Sequence, residues 1–63
     1  MNREELIAKL DAKLKKENID LKVFVIDWLI PLGVNYSYFG QMRSGFATFR
    51  PDVEKVVRDF VGV

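Results

Sequence analysis

Residues 31–45 read PLGVNYSYFGQMRSG and gather most of the chain's candidate chemistry. Asn35 and Gln41 bring carboxamides, Tyr36, Ser37, Tyr38 and Ser44 bring hydroxyls, and Arg43 brings a guanidinium. Arg50 follows shortly after. These groups donate and accept hydrogen bonds and can hold anions. The 63-residue chain has no Cys and no His. That removes thiolate nucleophiles, imidazole acid–base catalysis, zinc ribbons and the common metal ligands. No carboxylate pair, Gly-rich phosphate loop or nucleophile elbow is visible, so no enzyme, cofactor or metal is expected. The segment either packs inward or reads something outside.

Composition bounds the rest. Residues 1–63 make one domain, with no room for a second core. Hydrophobic residues form 49% of the chain, including five Phe, two Tyr and one Trp, which is enough to fold but with a thin margin. Burial against a second copy would widen it. The start, MNREELIAKL, is charged and amphipathic rather than leader-like. The apolar run VFVI is far too short to cross a bilayer. A cytoplasmic protein without membrane contact is expected. Six Lys and four Arg against nine acids leave a net charge of +1. Domains that neutralise phosphates often carry a larger positive excess, so whole-chain charge does not by itself point to nucleic acid.

Four helices would position the central stretch. Residues 2–17 read as the first: Asn2 can cap it, Glu4 and Glu5 suit its first turn, and Leu6, Leu10 and Leu14 recur every fourth residue. Its lysines, Lys9, Lys13, Lys15 and Lys16, read as a solvated face. Residues 20–32, DLKVFVIDWLIPL, suit a helix capped by Asp20 and ended near Pro31, although the β-branched VFVI would also fit a strand. That helix is apolar nearly all round and needs cover on most sides. Trp28 is expected in the core and Asp27 on the one solvent-facing polar stripe. Residues 35–44 follow, capped by Asn35 and stopped by Gly45, with Phe39 and Met42 on one face. Residues 46–50 read as a short extended or turn-like connection, and at least one of Phe46 and Phe49 should be buried. Pro51 opens a last helix whose inward stripe is Val53, Val56, Val57, Phe60 and Val61.

This order, with Leu29, Gly33, Val34, Asn35, Phe39, Met42, Gly45 and Pro51 at matching places, resembles the phage Cro/repressor (XRE-type) helix-turn-helix family over residues 5–61. The resemblance implies an all-α, four-helix domain of the lambda-repressor-like type. It implies a phage or prophage transcription regulator that binds double-stranded operator DNA as a homodimer, with 35–44 as recognition helix. Leu29 stands where the family usually has Ala, and VFVIDW replaces the polar face that meets phosphates there. On the same resemblance, Phe39 and Met42 face inward, Asn35, Tyr36, Ser37, Gly40, Gln41 and Ser44 face out, and Tyr38 sits at the edge. Gln41 would then pair with adenine N6 and N7. Ser37 would bond a base edge or phosphate. Tyr36 and Tyr38 would offer hydroxyls to phosphates or ring edges to thymine methyls. Gly40 would let the backbone approach closely, and Arg43 and Arg50 would hold phosphates. Asn35 reads first as a cap. Phe60, Val61 and Val63, with Phe46 or Phe49, would form the dimer surface.

A second expectation competes. The near-neutral charge and greasy second helix also suit a protein-interaction module, such as a phage-encoded inhibitor, antirepressor or antitoxin-like partner. The aromatic residues at 36, 38 and 39 would then be core or interface packing.

Overall fold

The structure, a computed structural model, describes residues 2–63. Four helical segments pack around one core, and no strand occurs among the described residues. Residues 46–50, expected as extended or turn-like, form a loop without strand pairing. No helix among the described residues is long and apolar enough to cross a membrane.

The first helix, α1, spans Arg3–Lys16. Asn2 Oδ1 accepts the Glu5 backbone N–H at 2.8 Å, satisfying one of the donors that a helix start leaves unpaired. Leu6, Leu10 and Leu14 are buried along one stripe. The chain leaves through Asn18 in the left-handed region, φ 57°, and Ile19 N–H returns to the Leu14 carbonyl at 2.8 Å.

The ambiguous segment is helical, in three windings that together we call α2. An α-helical turn (Leu21–Phe24) passes into π-helix (Val25–Leu29) and then a 3-10 turn (Ile30–Leu32). Asp20 caps its start by accepting the Lys22 N–H at 2.9 Å. Pro31 lacks an N–H and its ring crowds the carbonyl four residues back, so regular α winding cannot continue through it. The chain loosens before Pro31, where Ile30 N–H reaches the Val25 carbonyl, and tightens after it. Gly33 then turns left-handed at φ 78°, where an L side chain would be strained.

This winding buries Phe24, Val25 and Leu29 and leaves Val23, Ile26 and Ile30 exposed on the opposite side. Trp28, expected in the core, instead lies 45% exposed at the edge. Its ring stacks on Phe24 at 6.4 Å and meets Phe60 edge-on at 5.6 Å. Asp27 is exposed, as the sequence suggested.

The third helix, α3 (Tyr36–Ser44), and the fourth, α4 (Pro51–Val61), complete the domain. Phe39, Met42, Val53 and Val57 are fully buried, and Val56, Phe60 and Val61 pack partly against them. Phe24 joins the layers, with ring centroids 6.3 Å from Phe39 and 4.8 Å from Phe60. Of the two loop phenylalanines, Phe49 packs edge-on against Phe39 at 6.4 Å, while Phe46 stays 88% exposed.

A clamp closes α2 onto α4. Arg50 donates Nε to Asp52 Oδ1 at 3.1 Å and Nη2 to Asp52 Oδ2 at 2.6 Å. The same Nη2 reaches the Leu32 carbonyl at 3.3 Å, and Asp52 Oδ1 also accepts the Val53 N–H at 2.9 Å. The hydrogen bonds from Arg50 hold the Asp52 carboxyl below its ordinary range, outweighing the opposite push from burial. A depressed carboxyl contributes stability above the unfolded pKa, about 3.9, and loses it as pH falls through the lower folded value. Urea titrations of wild type and Asp52→Asn across acidic to neutral pH should therefore show a stability difference at neutral pH that closes in acid. A gap of constant size down through the acid range would remove Asp52 ionisation from the clamp.

Candidate nucleic-acid interface

The orientation of α3 follows from its two ends and its inner side. Val34, fully buried, anchors the turn after Gly33. Asn35 Oδ1 accepts the Tyr38 N–H at 2.7 Å, which starts the helix. Gly45 stops it at φ 88°, and Phe46 N–H and Ala47 N–H both return to the Gln41 carbonyl at 2.9 and 3.2 Å. With Phe39 and Met42 sealed at 0% exposure, the opposite side has only one way to point.

That side holds the residues singled out above. Tyr36 is 46% exposed, and Asn35, Ser37, Gln41 and Ser44 are exposed. Tyr38 and Gly40 are half-buried. The Ser44 hydroxyl donates to the Gly40 carbonyl at 2.9 Å, with the Gln41 carbonyl at 3.3 Å, so its proton is held along the helix. Arg43 lies at the flank, its guanidinium 5.7 Å from the Phe39 ring centre. Arg50 lies in the clamp, with Nε and Nη2 given to Asp52 and Leu32, and its guanidinium also faces the Tyr38 side chain of α3.

Charge is segregated more sharply than the total suggests. Between Trp28 and Pro51 there is no Asp or Glu, while Arg43 and Arg50 both fall inside. Two further cations approach α3 from elsewhere. Lys22, at the start of α2, places its ammonium 5.6 Å from the Tyr36 ring centre. The Arg3 guanidinium lies against Gly45, 3.5 Å from where a Cβ would stand. Sequence reading missed both. Lys22 and Tyr36 are brought together only by the fold of the α2–α3 turn, and Arg3 only by packing of α1. The result is an uncharged polar strip with a cation near its start and two near its end. Phosphates attract such flanking cations, and base edges suit such a strip.

The chain matches no known protein family, no curated protein and no solved structure.

Proposed function

We propose that this chain is a small, sequence-specific DNA-binding transcription regulator of phage or prophage type, acting in the cytoplasm. Gly33 and α3 form the turn and recognition helix of a Cro/repressor-like helix-turn-helix, and α3 enters the major groove. The observation that carries this reading is the composition of α3's outer side. It offers hydroxyls and an amide, no charge of its own, and cations at both ends. A helix meant only to be solvated would carry mixed charges there.

One domain of this size offers few contacts, so useful affinity calls for two copies on half-sites about one DNA turn apart. The surface we assign to dimerisation runs from Trp28 across Phe60 to Val61 and Val63, since the Trp28–Phe60 contact extends the tail surface onto α2.

Selection of bound sites from a random duplex library tests the reading, and a two-fold symmetric site is the expected product. Gln41→Ala should relax preference at one position per half-site by about 1–3 kcal/mol. Arg43→Ala should weaken binding to every sequence and lower the salt slope by about one per copy. If Gln41→Ala left the selected site unchanged, Gln41 would not read bases. If no duplex were enriched, the regulator reading would fall.

A specific observation favours a second reading. Val23, Ile26 and Ile30 are 47%, 62% and 48% exposed along one side of α2, and Phe46 adds an exposed ring. Contiguous exposed aliphatics mark partner surfaces. On this reading the domain is an interaction module, and it should co-purify with a protein while ignoring duplex.

A further inference from the structure

Gly40 lies inside α3 without a structural reason to be glycine. Its backbone is ordinary right-handed helix, and a Cβ there would meet no atom within 4 Å. Neither a left-handed turn nor a close internal approach requires it, and glycine weakens a helix interior relative to alanine. Tyr36, Gly40 and Ser44 succeed one another at four-residue spacing, as do Ser37 and Gln41 beside them. Gly40 therefore leaves a notch, a gap the size of one methyl, in the outer strip, at the place between Tyr36 and Ser44 in their four-residue row.

The groups around the notch sort the four bases. In the major groove guanine presents two acceptors and is matched by Arg or Lys, and cytosine presents an amine matched by a carboxylate. The strip carries neither. Adenine presents an acceptor beside a donor, which a carboxamide matches, and thymine presents a methyl beside an acceptor. Gln41 supplies the carboxamide. The gap at Gly40, free of side-chain contacts and next to the Ser37–Gln41 row, leaves room for the methyl against the helix backbone. From Tyr36 to Ser44 the strip is about 12 Å long, or about three to four base steps at 3.4 Å each.

We propose, resting on the DNA-binding reading above, that α3 reads an A·T core in each half-site, with Gln41 on adenine and a thymine methyl seated at Gly40.

The test begins with full-length protein and site selection. An A·T core of about three to four pairs is expected from the strip's length. A selected site with a G·C core would overturn this inference and leave DNA binding standing, whereas no selected site would overturn DNA binding itself. On the selected site, replacing each core dT by dU removes the methyl and keeps the hydrogen bonds. At one position wild type should lose about three- to five-fold in affinity. Gly40→Ala places its own methyl in the notch. It should melt at higher temperature than wild type, bind the dT site more weakly, and recover on the dU site. Because the variant gains helix stability, misfolding cannot imitate this pattern. Equal binding of dT and dU at every core position by wild type, or no recovery of Gly40→Ala on dU, would overturn the notch.

Discussion

Phe24→Ala should remove about 3–5 kcal/mol of stability. A chain of 63 residues holds about 3–9 kcal/mol in total at the usual figure per residue. The substitution therefore removes between about a third of the stability and all of it. The reason lies in what Phe24 touches. It is 1% exposed, its ring lies 4.8 Å from Phe60 and 6.3 Å from Phe39, and Trp28 stacks on it from the edge. Its ring reaches both α3 and α4 from α2, beside the Trp28–Phe60 contact and the Arg50 clamp, so the cavity left by alanine lies between three helices. Thermal and urea unfolding followed by circular dichroism would measure the loss. Phe46→Ala serves as the control. That ring is 88% exposed, and its removal should change stability by less than about 0.5 kcal/mol. A comparably small loss for Phe24→Ala would mean that the aromatic cluster does not hold the helices together.

The same cluster explains what could and could not be read in advance. Local chemistry was legible. Asn2, Asp20 and Asn35 each cap a helix as their side chains allow, Gly45 ends its helix as expected, and the turn at Gly33 is made by a left-handed glycine. The buried stripes Leu6–Leu10–Leu14 and Phe39–Met42 follow from spacing alone. The failures are tertiary. Trp28 was expected inside because large aromatics usually bury. The π winding ahead of Pro31 instead brings it to the rim, where Phe24 and Phe60 cover part of it. Phe46 and Phe49 are indistinguishable in a short loop until Phe39 is in place to receive one of them. Arg50 was expected to flank α3, and it does face Tyr38, but its ion pair with Asp52 was not foreseen. Its neighbour two residues on, Asp52, could have warned that the pair would close on itself. Lys22 could not have been assigned to the α3 surface, since thirteen residues lie between it and Tyr36 and only the turn at Gly33 brings them together.

The exposed stripe on α2 and the strip on α3 make opposite demands on solution conditions. Apolar association strengthens or holds as salt rises, because excluded salts favour burial. Phosphate contact weakens, because each neutralised phosphate releases a counterion and the slope of log affinity against log salt is about −0.9 per contact. A net charge of +1 therefore says less than the placement of individual cations.

Affinity for the selected duplex should fall by about a thousand-fold between 50 and 200 mM salt. Three cations per copy can meet phosphates: Lys22 near the start of α3, and Arg43 and Arg3 near its end. Two copies give about six contacts and a slope of about −5.4. Lys22→Glu withdraws one contact per copy, so the slope should flatten to about −3.6, with further weakening from repulsion between the new carboxylate and phosphate. The loss should be equal for selected and unrelated duplexes, since phosphate contacts fix register and carry no sequence. Fold is not at risk, because Lys22 is exposed and its N–H rather than its ammonium serves the Asp20 cap. Fluorescence anisotropy across a salt series, with both proteins and both duplexes, separates the outcomes. A slope near zero for wild type would reject phosphate contact and leave the α2 stripe as the working surface. A steep wild-type slope that Lys22→Glu left unchanged would keep the DNA reading but move the contacts away from the start of α3, and the docking of that helix in the groove would have to be turned accordingly.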